Sequence, residues 1–110
     1  MEWNGYIIEP SANLAGANLA GANLAGADLW RASLSRAILL SANLAGANLV
    51  GADLRGVAID ESNLSNADFT NVKLGMYIDG DIGIIGGIRK STVQGLKINA
   101  TTANRLESHT

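Results

Sequence analysis

The chain has 110 residues, no cysteine and a formal net charge of -2, from ten acidic and eight basic side chains. This length allows one domain with a modest core, and the lack of cysteine excludes disulfides and thiolate metal sites. The near balance of charge provides neither the basic footprint of a nucleic-acid-binding protein nor a strongly acidic surface. Thirteen glycines and only five aromatic residues indicate a repeated sequence.

Residues 1–11 precede the repeats and are predicted to form an N-terminal cap. Trp3, Tyr6, Ile7 and Ile8 come before Pro10 and carry enough apolar area to lie across the edge of a first coil. The start has no basic segment followed by an apolar stretch, and no apolar run reaches the ~18 residues of a transmembrane helix. We therefore expect a soluble protein with no membrane partner, located in the cytoplasm or in a compartment that the sequence does not specify.

From Leu14 onward a large side chain, almost always leucine, returns at every fifth residue without insertion. A step of five on an α-helix is about 500°, so these side chains would spiral around the axis and could not share one buried face. In a flat strand with a side-chain period of two, an odd step sends them to alternate faces. The chain must therefore turn once per repeat and wind into an all-β solenoid. Its predicted core is Leu14, Leu19, Leu24, Leu29, Leu34, Leu39, Leu44, Leu49, Leu54, Ile59, Leu64, Phe69 and Leu74.

The other repeat positions have predictable roles. The residue two before each core position is mostly alanine and should form a second, small inner column beside the large one. Glycine at the end of many repeats suits the corner, because it adopts backbone angles that other residues avoid. The Asn or Asp before the leucine can accept a hydrogen bond from the turn backbone.

The motif A(N/D)LxG, repeated thirteen times over residues 12–76, resembles the pentapeptide-repeat proteins. The resemblance implies a right-handed quadrilateral β-helix in which each pentapeptide forms one side of a square and four complete a coil. Residues 12–76 would then form about three and a quarter coils, a short rod roughly 15 Å long at a strand-like spacing of about 4.8 Å.

Residues 77–110 depart from the repeat. Asp79 and Arg89 fall on the leucine phase and cannot lie in an apolar interior, so we expect the regular coil to fail near Gly75. Glycine-punctuated, β-branched residues 77–100 predict an irregular coil or hairpin, and a threonine at 101 or 102 could cap a short helix reaching to position 108. This region is predicted to cap the coil; the alternative is a docking arm or the seam of a homo-oligomer.

No catalytic signature emerges. The single histidine, His109, lies next to the C-terminus, and the serines and threonines have no paired histidine. Residues 86–92 resemble a phosphate-binding loop but lack a glycine directly before Lys90. The adjacent acids Asp60 and Glu61 are interpreted as a solvated edge. We expect no enzyme activity, no small-molecule substrate, no cofactor and no metal site.

A protein-binding surface is the remaining kind of site. Most outward positions hold small or polar side chains, and the larger exceptions are predicted to be a partner surface or isolated surface residues. The square geometry places Trp30 and Val50 on one side and the apolar pair at 38 and 40 on the opposite side, with the arginines at corners between them. The candidate partner surface is Trp30, Arg31, Arg36, Ile38, Leu40 and Val50.

The leading functional hypothesis is a non-enzymatic structural or protein-interaction module, a rigid scaffold for an unidentified protein. It would act either on its own or as a piece of a larger assembly such as a virion or a multidomain protein. The alternative comes from the resemblance, because the quinolone-resistance branch of the family imitates duplex DNA and acts on DNA gyrase. The repeat region holds five acids and four bases, a net charge of -1. It is therefore too neutral and too short for a convincing DNA mimic, and we expect no nucleic-acid partner.

Overall fold

A computed structural model of the chain describes residues 1–73, 91 and 93–98. Its two extended strands, β1 (Glu2–Trp3) and β2 (Tyr6–Ile7), form an antiparallel hairpin at the N-terminus. After the hairpin the chain winds into a coil held by single-residue parallel bridges. Successive bridges connect residues 20 apart, as in Asn13 to Ser33 and Ser33 to Asp53. Four five-residue sides therefore complete each turn, and the coil is four-sided.

We number the faces of the coil in chain order, with one corner residue shared by neighbouring faces. Face 1 contains residues 11–16, 31–36, 51–56 and 71–73. Face 2 contains residues 16–21, 36–41 and 56–61; face 3 contains residues 21–26, 41–46, 61–66 and 93–95; and face 4 contains residues 26–31, 46–51, 66–71 and 96–98.

Each corner is a tight turn closed by a backbone hydrogen bond. At the corner between faces 1 and 2 the N–H of Ala17 donates to the C=O of Leu14 at 3.0 Å, and the intervening Gly16 has a φ of 71°. A positive φ at the third residue of a turn is typical of type II, which favours glycine. Half of the repeat corners nevertheless carry other residues at the same φ: Ser11, Arg31, Arg36, Ser41, Glu61, Asn66 and Asn71.

Where the residue before a core position is Asn or Asp, its side chain stabilises the following turn. The Oδ1 of Asn43, for example, accepts a hydrogen bond from the N–H of Ala45 at 3.0 Å. Asp28 makes the same contact with Trp30 at 3.2 Å. Short side chains with an acceptor three bonds from Cα form this ring readily, which explains why the repeat favours Asn and Asp here.

The interior of the coil is a dry stack of leucines beside alanines. The twelve core side chains from Leu14 to Phe69 are each at most 3% exposed, and Leu74 lies outside the described residues. The small column is equally buried from Ala17 onward, whereas Ala12, at the first level, is only partly buried. Each buried leucine stabilises the fold by about 2 kcal/mol before the entropy of ordering the chain is subtracted.

The hairpin lies against the first coil. Ile8 is buried, and Trp3 and Tyr6 pack against the core while remaining partly exposed. The Tyr6 hydroxyl also accepts a hydrogen bond from the N–H of Asn18 at 3.4 Å, which occupies a backbone donor at the edge of face 2. Ile7 differs from the expected packing, because alternate residues of a strand point to opposite sides; it is 51% exposed.

Residues 93–98 rejoin the stack above the third coil. Lys97 bridges Asp68, so the separation here is 29 residues rather than 20. The N–H of Phe69 donates to the C=O of Lys97 at 2.6 Å, and the N–H of Lys97 donates to the C=O of Ala67 at 2.9 Å. This separation is nine residues longer than the coil spacing of 20. The five-residue period of the leucines therefore does not predict where residues 93–98 pair.

The predicted helix ending near position 108, His109 and most of residues 77–92 lie outside the described residues.

Replacing Ser41 by glycine should stabilise the protein. Ser41 has a φ of 57°, a region that costs non-glycine residues about 1–2 kcal/mol, whereas the extra unfolded-state entropy of glycine costs about 0.5–1 kcal/mol. We expect the free energy of unfolding in urea to rise by about 0.5–1 kcal/mol. The reverse change, Gly46→Ala, has open space around the new Cβ and should destabilise through φ alone. Equal stabilities for Ser41→Gly and the wild type would contradict the strain argument.

Candidate functional site

The structure places the six candidate partner residues on three sides of the coil. Trp30 and Val50 lie on face 4, and Ile38 and Leu40 lie on the opposite face 2. Trp30 and Leu40 are 41% and 40% exposed, whereas Ile38 and Val50 are partly buried between coils. These apolar residues therefore do not form one continuous patch.

The two arginines occupy the corners on either side of face 1. Arg31 folds back over Trp30, with its guanidinium carbon 4.7 Å from the ring centroid, in cation–π geometry. Its stem also runs across Gly51, where an added Cβ would lie 3.1 Å from the Arg31 Cγ. Arg36 crosses Gly56 in the same manner, at 3.2 Å. The glycines of the next coil thus leave room for both arginine stems.

Face 1 also carries the remaining basic residues of the coil. Between residues 11 and 73 every arginine and lysine lies on this face or its corners: Arg31, Arg36, Arg55 and Lys73. The only acid here is Asp53, so face 1 holds four positive charges and one negative, a net of +3. The other acids of this range lie elsewhere: Asp28, Asp60, Glu61 and Asp68.

Sequence reasoning missed this segregation because it counted charge along the chain. The four bases are 42 residues apart at their extremes, yet a repeat of 20 returns all of them to one side. Plotting charges modulo 20 would have revealed the basic face.

Asp53 is paired within this face. The Nε of Arg55 donates to its Oδ1 at 2.9 Å, and a terminal guanidinium nitrogen donates to its Oδ2 at 2.6 Å. The hydrogen bonds from the Arg55 side chain lower the pKa of Asp53, against a smaller opposing effect of burial, and the charge of Lys73 lowers it slightly further. Asp53 is therefore ionised at neutral pH, and Arg55 offsets its charge.

A shallow, open depression of about 610 Å³ lies on the same face. It is lined by Ser11, Arg31, Ala32, Ser33, Gly51, Asp53 and Lys73. Hydroxyl groups and cations on an open floor can bind anionic groups. The lining offers no histidine or other base beside a nucleophile, so the depression has the chemistry of a binding surface.

The described part of the chain contains no group of three His, Asp or Glu side chains placed to hold a metal ion. Within the same residues, no helix is long and apolar enough to cross a membrane.

The repeats match a family model described as Pentapeptide repeats in 8 copies, over residues 12–48 and 37–75. The chain belongs to the pentapeptide-repeat family. Its fold is the right-handed quadrilateral β-helix of that family, as predicted from the resemblance. No curated protein sequence matches the chain significantly.

Solved structures of other pentapeptide-repeat proteins share this coil. Trypsin-treated QnrB1, a plasmid-mediated fluoroquinolone resistance protein, is 26% identical with a TM-score of 0.71; the match covers 90% of this chain and 44% of QnrB1. A pentapeptide repeat protein from Nostoc is 30% identical with a TM-score of 0.58, over 79% of this chain and 64% of the other. A third pentapeptide repeat protein, from the thylakoid lumen of Arabidopsis thaliana, is 17% identical with a TM-score of 0.51. This match covers 92% of this chain and 88% of the other, and it supports the fold alone. This pentapeptide-repeat chain thus spans less than half of QnrB1.

Proposed function

We propose that this protein is a non-enzymatic interaction module, a rigid β-helical scaffold that binds a protein partner through its side faces. The observation that carries the proposal is the combination of a fully packed interior with large exposed side chains at Trp30 and Leu40. The packed leucine stack leaves no internal ligand cavity among the described coils. A partner would therefore bind the outer surface.

Energetic arguments support such a role. A coil closed by regular hydrogen bonds loses little conformational entropy on binding, so surface contacts contribute more fully to affinity. Tryptophan and arginine are enriched at binding hot spots, and Arg31 holds the ring of Trp30 against the corner. The surface is thereby preorganised.

Affinity capture with tagged wild type, Trp30→Ala and Leu40→Asp tests this function. We expect a protein retained by the wild type to be lost with one or both variants and kept by the matched control Ala25→Asp, which alters an exposed position on face 3. Identical retention by all four proteins would count against binding through the exposed apolar residues.

The oligomeric state of the full chain, measured by light scattering, distinguishes the two roles predicted for the C-terminal region. A monomer supports a C-terminal cap, and a homo-oligomer supports a seam between copies.

The second candidate is inhibition or protection of DNA gyrase by DNA mimicry. It is favoured by the structural similarity to QnrB1, a fluoroquinolone resistance protein. The distribution of charge opposes it, because face 1 is basic and the four acids outside that face within residues 11–73 are spread over the other faces. A supercoiling assay decides: no inhibition and no protection against a quinolone at micromolar protein removes this candidate.

A further inference from the structure

We propose that face 1 binds a short acidic segment of a partner protein. This inference rests on the proposed function and specifies the chemistry of one binding surface. It depends on Arg31, Arg36, Arg55 and Lys73, which the coil gathers onto one side although they are distant in sequence.

The charge of face 1 is only partly offset within the protein. Arg55 pairs with Asp53, while no ion pair involves Arg31, Arg36 or Lys73 among the described residues. Three cations therefore surround one neutralised pair. The Debye length is about 8 Å at physiological ionic strength, so a ligand on this face experiences mainly the local positive field, despite the net charge of -2 of the whole chain.

The shape of the face suits an extended chain. Its four stacked levels span about 15 Å, which is the length of four or five extended residues. Alternate side chains of such a strand point the same way, about 6.6 Å apart, so two or three carboxylates could face the cations together. The hydroxyls of Ser11 and Ser33 line the open depression between these levels and can donate to carboxylate oxygens.

An acidic peptide fits this face better than a nucleic acid. Nucleic-acid affinity grows with the number of phosphates neutralised, and a strand longer than a few nucleotides would extend beyond a face of this height. Beyond face 1, the neighbouring coil surface carries acids such as Asp28 and Asp68 on face 4, which repel phosphates. A short acidic segment can remain within the basic area.

The test uses fluorescence anisotropy with a fluorescein-labelled pentapeptide of alternating glutamate and threonine that begins and ends with glutamate. The decisive variant is Arg36→Gly/Lys73→Gln, which removes two cations and leaves the contact between Arg31 and Trp30 in place. Arg36 has a φ of 59°, so glycine relieves backbone strain there and the variant should fold at least as well at that corner. Ser41→Gly makes the same kind of corner change without altering charge and serves as the control.

We expect the double variant to weaken peptide binding by about five- to twentyfold, since one exposed ion pair typically changes affinity by roughly two- to fivefold. Ser41→Gly should bind like the wild type, and added salt should weaken binding to the wild type more than to the double variant. Unchanged affinity in the double variant would overturn the proposal, as would equal binding of a glutamine-for-glutamate peptide. Tighter binding of a five-nucleotide oligothymidylate than of the acidic peptide would likewise overturn it, in favour of nucleic acid.

Protein capture and acidic-peptide binding test the apolar surface and the basic face separately. If a captured protein depends on Trp30 or Leu40 but is retained by Arg36→Gly/Lys73→Gln, the interaction module stands and the acidic ligand is wrong. If the acidic peptide binds face 1 while capture is insensitive to Trp30 and Leu40, the basic face stands and the apolar surface is wrong.

Discussion

Leu44→Ala is expected to lower the free energy of unfolding by about 2–5 kcal/mol, the range measured when a fully buried leucine is truncated. Leu44 is completely buried, with coils both before and after it. The removed methyl groups leave a cavity that the hydrogen-bonded walls cannot easily close, because the spacing of the coils is fixed by backbone ladders above and below. Urea denaturation followed by circular dichroism measures the loss.

Leu40→Ala is the matched control for this prediction. Leu40 lies in the same coil and has the same side chain, but it points outward and is 40% exposed. Its truncation should cost less than about 1 kcal/mol, as at most surface positions. Similar losses for the two variants would contradict the assignment of the leucine column to a dry interior.

Enlarging the small inner column is expected to have the second large effect. Ala42 is 1% exposed and lies inside the coil, so Ala42→Leu inserts three heavy atoms where the walls leave no room. Overpacking of this kind typically costs about 1–3 kcal/mol and forces backbone shifts. Here the shifts would break inter-coil hydrogen bonds, among them the 2.9 Å bond from the N–H of Asn63 to the C=O of Ala42. We therefore expect the upper part of that range in urea denaturation.

Ala25→Leu provides the comparison for overpacking, because Ala25 is an exposed outward residue of the same repeat pattern. It adds the same atoms into solvent, and its effect on stability should be within about 0.5 kcal/mol. A tolerant Ala42→Leu variant would mean that the interior is wider or more compliant than the packed columns indicate.

At the top of the coil, the small inner column holds a larger side chain than alanine. Leu96 sits above Ala67 in the small column and Ile98 sits above Phe69, and both are only partly buried. A larger side chain than alanine is accommodated in the small column at this level, where Leu96 is only partly buried. The alanine at positions such as 42 is thus imposed by neighbours on both sides and not by the turn itself.

Much of this architecture could be predicted from the sequence because its cause is local. A five-residue period excludes a single helix face and a flat strand face, so a turn after each short step follows from geometry alone. The Asn or Asp before each leucine likewise acts on a backbone N–H only two residues away, as at Asn43. Contacts of this range depend on residue types that are adjacent in the chain.

The packing at the two ends depended on contacts that no local pattern specifies. The orientation of the hairpin buries Ile8 and exposes Ile7, although the two are adjacent and equally apolar. The return of residues 93–98 after a separation of 29 is set by which coil edge was open to pair with them, as Lys97 does with Asp68.

The sequence by itself determined the coil, its inner columns and its corners, since each repeat carries its own turn chemistry and its own buried side chain. Only the tertiary structure decided which surface residues are neighbours. Arg36, Arg55 and Lys73 share one face because the chain returns to each side every 20 residues, and a charge acts on its neighbours in space. The basic face therefore exists only once the coil has closed.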